Sequence, residues 1–189
     1  MDYIFKEAES LTKKVCSRDP FELLDFIGAR VKYSFDYQPD GLQGFATIIK
    51  QFKFAVINGH LKDELRRIVA GHEAAHLIIH QEEIMLSPVK ALKDFDLFNS
   101  PGKLEYQANS FLADFLLSDK DVLDAVAQVD NDYFATARAT CVPPHLLAFK
   151  LFSMMRRGYA VRPPVDLESC FLKTQKSGGG NNARSSNSP

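Results

Sequence analysis

The chain has 189 residues, enough for one domain with a real core, and its 46% apolar and 25% charged composition is that of a soluble globular protein. Its 23 basic and 24 acidic residues leave a net charge of −1, which argues against a protein held to nucleic acid or acidic lipid mainly by charge. No apolar run approaches the ~20 residues of a membrane-spanning helix.

The first residues, Met1-Asp2-Tyr3-Ile4-Phe5-Lys6-Glu7, lack the basic start and apolar stretch of a signal peptide. Cys16, Cys141 and Cys170 are few and widely spaced, as expected of free thiols in a reducing compartment. The expected address is the cytoplasm, with no membrane association.

Residues 1–18 read as a helix. Asp19-Pro20, a capping residue followed by proline at the first helical position, starts a second helix over about 20–29. The pattern then changes. Val31–Phe35, Phe45–Ile49 and Phe52–Ile57 are β-branched and aromatic, and turn residues at Pro39-Asp40-Gly41 and Gly44 separate the first two. Three short strands are expected, in a sheet spanning about 31–57.

After Asn58-Gly59, a long helix is expected over about 61–80, with Leu61, Leu65, Ile68, Val69, Ala75 and Ile79 forming its apolar stripe. Residues 81–101 read as irregular. A second long helix is expected over about 103–117, and further helices reach about 157, with breaks near Ser118, Asp130 and Val142-Pro143-Pro144. A few strands followed by many helices predict an α+β fold, a small three-stranded sheet packed on a mostly helical domain. That domain is expected to occupy residues 1–173. Residues 174–189, small and polar, are expected to be a disordered tail.

The chemistry concentrates in His72-Glu73-Ala74-Ala75-His76, an H-E-x-x-H pattern. Helical residues four apart share a face, so both imidazoles point the same way and can share one ion. Both fall on the apolar stripe, which sets the ion against the protein body. Glu73 is one step round the helix, where it reaches a metal-bound water without being a ligand. By chance, the pattern turns up in roughly one chain of this length in a few hundred, and two core histidines are the plain alternative. Its phase on an amphipathic helix favours the metal site.

Two neutral imidazoles and one carboxylate suit zinc and leave a position for water. The next carboxylate borne on a helix is Glu105, which borders the apolar stripe beside Ala108 and Leu112, so it can face inward. A solvated helix glutamate is the usual fate of that residue type. Glu82 and Glu83 follow the first helix too closely to close round the ion. Asn109, one turn beyond Glu105, is placed to hydrogen-bond the far nitrogen of a ligand histidine.

His72-Glu73-Ala74-Ala75-His76 with His80, together with Glu105-Tyr106-Gln107-Ala108-Asn109-Ser110-Phe111-Leu112-Ala113, resembles the paired motifs of the ImmA/IrrE-type metallopeptidases of bacteria, phages and mobile elements. Leu42-Gln43-Gly44-Phe45 and Val56-Ile57-Asn58 are similar to that family's strand pair, and Val142–Leu151 to its closing helix. The resemblance runs over about 20–157. This chain departs from the family pattern at Ala74-Ala75, Leu112 and Leu117-Ser118, positions that bear on packing and substrate fit more than on ligation.

The resemblance implies a zincin-like, gluzincin-type domain holding one zinc on His72, His76 and Glu105. It also implies a protein substrate, a helix-turn-helix repressor or related regulator, and no direct binding to nucleic acid. In that mechanism zinc activates a water, and Glu73 takes its proton and returns it to the leaving amine. His80, Tyr106 and His145 are candidates for stabilising the oxyanion only by residue type, and His80 equally suits packing or support of a ligand. A zincin also needs a sheet edge to hold its substrate extended, and Phe45–Ile49 or Phe52–Ile57 is expected to supply it. The competing reading is a metal-binding sensor that regulates a repressor by contact alone. A DNA-reading role for the last helix would rest on Arg156-Arg157, cations that a helix end favours for dipole reasons alone.

Overall fold

In a computed structural model the structure describes residues 2–87, 91–94 and 102–163. The expected tail at 174–189, the domain boundary at 173 and Cys170 lie outside them.

Helix α1 (Asp2–Val15) buries Ile4, Ala8 and Leu11 along one face and ends at Cys16, whose φ of 57° breaks the helical run. Helix α2 (Pro20–Phe26) starts as its sequence dictates: the Asp19 carboxylate accepts from the Phe21 N–H at 2.7 Å, and Pro20 occupies the first turn. Strand β1 (Ala29–Ser34) follows, then β2 (Gly44–Ile49) and β3 (Phe52–Asn58). A two-residue turn joins β2 to β3, with Lys50 and Gln51 at φ of 48° and 72°, the left-handed pair that a tight hairpin needs.

These three strands are the ones read from the sequence, and the fold is α+β. A fourth short strand, β4 (Ala91–Asp94), extends the sheet. The order is β1-β3-β2-β4, with β1 parallel to β3 and β2 antiparallel to both β3 and β4. The stretch read as irregular therefore holds β4 and a one-and-a-half-turn helix, α4 (Gln81–Leu86). Ala91, Lys93 and Asp94 belong to residue types depleted in strands, so local propensity gives no sign of β4.

Helix α3 (Asp63–Ile79) packs beneath β2 and β3, and every residue from Ile68 to Leu77 is buried. Helix α5 (Lys103–Leu116) lies against α3, α1 and α8 (Pro144–Arg156), and is buried from Ala108 onward. The α3–α5 contact is close at Gly71, where a Cβ would stand 2.3 Å from Leu112 Cδ1. Helices α6 (Asp119–Gln128) and α7 (Tyr133–Ala139) are capped by Ser118 and Asp132. The breaks expected near 118, 130 and 142–144 fall at these boundaries.

An ion network joins the helical layer. Lys150 Nζ, fully buried, lies 2.9 Å from Asp114 Oδ1 and 2.8 Å from Asp119 Oδ1. Arg157 forms a two-pronged pair with Asp119 and stacks 3.6 Å from the Phe5 ring centroid, tying α1 to the end of α8. Among the described residues no helix is long and apolar enough to cross a membrane.

Candidate metal centre

Helix α3 carries His72, Glu73 and His76, all fully buried, and its four-residue spacing sets the two imidazoles edge to face with ring centroids 4.7 Å apart. Their Nε2 atoms converge to 3.0 Å. Glu105, in the first turn of α5, completes the group: its Oε2 lies 3.1 Å from His72 Nε2 and its Oε1 3.6 Å from His76 Nε2. One ligand atom from each of the three lies within 4.8 Å of the others, so the trio could hold a metal ion. Four ligands set tetrahedrally at about 2.0–2.1 Å around zinc stand about 3.3 Å from one another, the scale of these separations.

The far side of each imidazole fixes which nitrogen carries hydrogen. His72 Nδ1 lies 3.0 Å from Asn109 Oδ1, an amide oxygen that can only accept, so the hydrogen sits on Nδ1 and the Nε2 lone pair faces Glu105. His76 is held through a longer chain. Gln107 Oε1 accepts from His80 Nε2 at 3.1 Å, which leaves His80 Nδ1 as an acceptor for the His76 Nδ1–H at 2.9 Å. His76 Nε2 is then also a lone pair. Burial is the main reason that the pKa of His80 lies below its ordinary value, which keeps the ring neutral as this chain requires.

Three electron-pair donors thus face one another. An ionised carboxylate and two imidazole lone pairs at this spacing repel unless a cation lies among them. The residues present therefore fit a divalent metal such as zinc.

Glu73 lies on the sheet side of α3. A Cβ on Gly44, at the start of β2, would stand 2.6 Å from Glu73 Oε1 and 2.6 Å from Val69 Cγ1. The glycine thus lets β2 pass directly over the carboxylate. In the sequence Gly44 reads as a turn residue and as part of a strand motif, and nothing marks Gln107. Each gains its place only through contact between elements. Tyr106, in contrast, packs on Phe149 with ring centroids 5.5 Å apart and helps to line a cavity of about 30 Å³ beside Phe5 and Arg157.

The two edges of the described sheet are β1 and β4, so the expectation that β2 or β3 supplies a free edge is corrected: β3 is central, and β4 covers the outer side of β2.

The family described as Peptidase_M78, IrrE N-terminal-like domain, matches residues 29–152, from the start of β1 into α8. A Bacillus phage phi105 protein named "Uncharacterized immunity region protein 2" is 30% identical over 112 residues, covering 59% of this chain and 66%, just under two thirds, of the relative. With both histidine-bearing and glutamate-bearing helices inside the matched stretch, the chain belongs to the Peptidase_M78 family of IrrE N-terminal-like domains.

Proposed function

We propose that this protein is a cytoplasmic zinc-dependent endopeptidase that cleaves a protein substrate, a helix-turn-helix repressor or a related regulator. One observation carries the reading. Two lone-pair imidazole nitrogens and an ionised carboxylate converge on one point, with a buried glutamate on the same helix as the histidines. Membership of a peptidase family supports the reaction class, and the phage relative's place in an immunity region supports a regulator as substrate.

In this reading His72, His76 and Glu105 hold one zinc ion per chain, which when bound supplies Lewis acidity toward the scissile carbonyl and the attacking water. Asn109 and the His80–Gln107 pair keep both Nε2 lone pairs turned toward that position. Glu73 accepts the proton of the attacking water and delivers it to the amide nitrogen as the C–N bond breaks. Its burial under β2 keeps bulk water from competing for the carboxylate.

Replacing Glu73 by Gln keeps the size and removes the base. Zinc-loaded wild-type protein is expected to cut a helix-turn-helix repressor from its own host, with fragments read by mass spectrometry. The E73Q protein should retain zinc and lose about 10²- to 10⁴-fold in rate. Equal cleavage by both proteins contradicts the assignment of Glu73. A repressor regulated equally well by both with no cleavage points to a sensor that acts by binding.

A further inference from the structure

The sheet has two faces. Helices α2 and α3 pack against the one that holds Ala29, Ala46, Ala55 and Ile57, all buried in the core. Side chains alternate along a strand, so Arg30 and Lys32 of β1, Ile49 of β2, and Phe52, Phe54 and Val56 of β3 belong to the opposite face. Pairing sets them in adjoining rows, with Arg30 opposite Phe54, Lys32 opposite Val56 and Ile49 opposite Phe52. Ile49 and Phe52 are more than half exposed there, at 53% and 56%.

Two features set this face apart from an ordinary solvated sheet. Its charge is of one sign. Strands β1, β2 and β3, with the hairpin turn, carry Arg30, Lys32, Lys50 and Lys53 and no acidic residue, in a chain whose 24 acidic residues outnumber its 23 basic ones. Two of these cations are also held over aromatic rings. The Arg30 guanidinium lies 5.3 Å from the Phe52 ring centroid, and the Lys32 ammonium lies 5.1 Å from that of Phe54. Cations on an edge strand discourage pairing between sheet edges, which accounts for Arg30 and Lys32. It does not account for exposed Phe52 and Ile49, one and two strands further in.

Apolar side chains bordered by cations fit a partner whose apolar side chains are bordered by carboxylates. A second copy of this face would bring like charges together. A nucleic acid would have to displace the cations from both rings before its bases could stack there. Two strand spacings, about 10 Å, match the width of one helix. We propose that the outer face of β1, β3 and the hairpin end of β2 docks an acidic amphipathic helix of a partner protein. Its carboxylates pair with Arg30 and Lys32, and its apolar side packs on Ile49, Phe52 and Phe54. Ile49 lies at the opposite end of β2 from Gly44, about 17 Å along the strand. The surface is therefore separate from the metal centre, and the proposal stands whether or not that centre cuts peptide bonds.

The test titrates the full chain against a fluorescein-labelled helical peptide of Glu, Leu and Ala, and against its counterpart with Lys for Glu, by anisotropy. The wild type is expected to bind the acidic peptide, more weakly as salt rises. Arg30→Glu with Lys32→Glu should lose at least about tenfold in affinity for it and gain affinity for the basic counterpart, an exchange that a misfolded protein cannot make. Phe52→Ala should also lose at least about tenfold, with zinc content unchanged. Equal binding by the wild type and the doubly charge-reversed protein, or none by the wild type, overturns the proposal. Binding that ignores Phe52→Ala overturns it too, because charge alone then carries the contact. Oligothymidylate and phosphatidylglycerol vesicles are titrated in the same way. Either one bound through Arg30 and Lys32 while the acidic peptide is not would assign the face to nucleic acid or lipid and remove the partner helix.

Discussion

At the scale of single residues, the site is organised by what stands behind its ligand atoms. Asn109 sets the hydrogen of His72 directly, and Gln107 sets that of His76 through His80. Without these acceptors each imidazole is free to place its hydrogen on Nε2 and lose the lone pair that a metal needs. Asn109→Ala and Gln107→Leu are each expected to weaken zinc binding about 10- to 100-fold in competition with a chromogenic chelator. Gln107→Glu, which keeps an acceptor oxygen, should lose much less. Unchanged affinity in Gln107→Leu would show that the chain through His80 does not set the His76 tautomer. The convergence of His72 and His76 is legible in sequence because helical spacing encodes it. Gln107 is not, because nothing in its own helix distinguishes it from a solvated glutamine until α5 packs beside His80.

At the scale of elements, the helices and the three main strands follow from local signals: the Asp19-Pro20 start, the apolar stripes, and the aromatic and β-branched runs. Two features escape them. Strand β4 has little strand propensity and pairs through the edge that β2 presents. The β2–β3 hairpin turns on Lys50-Gln51, which lacks the glycine or asparagine that normally announces such a turn. Both residues adopt left-handed φ that side chains disfavour. Lys50→Asn with Gln51→Gly is therefore expected to stabilise the fold by about 1 kcal/mol, read as a higher urea midpoint with unchanged slope. A lower midpoint would mean that the two side chains make contacts worth more than the backbone relief.

At the scale of the whole molecule, the network of Asp114, Asp119, Lys150 and Arg157 ties the ligand helix α5 to the start of α6 and to α8. Burial by itself would raise the Asp119 pKa, but hydrogen bonds from Arg157 and Lys150 outweigh it and hold the carboxyl well below the usual range. A carboxyl whose pKa is depressed on folding adds stability that is complete above its unfolded pKa, about 3.9, and is lost as pH falls through the native value. Urea midpoints should therefore fall as pH drops from 5 toward 2 (about the acid limit of such titrations). Asp119→Asn should be less stable than wild type at pH 7 and show a shallower acid slope. Parallel pH profiles for the two proteins would remove Asp119 from the account. The charges are legible in the sequence, but their pairing across 31 to 38 residues of chain exists only in the assembled fold.

Elemental analysis decides whether His72, His76 and Glu105 hold one catalytic metal. Purified wild-type protein, His76→Ala and Glu105→Ala are compared after zinc loading and removal of free metal. About one zinc per wild-type chain is expected, with loss or strong weakening of binding in both variants. A wild-type protein that takes up no zinc, or variants that hold it as well as wild type, would contradict the account and leave His72 and His76 as histidines of the core.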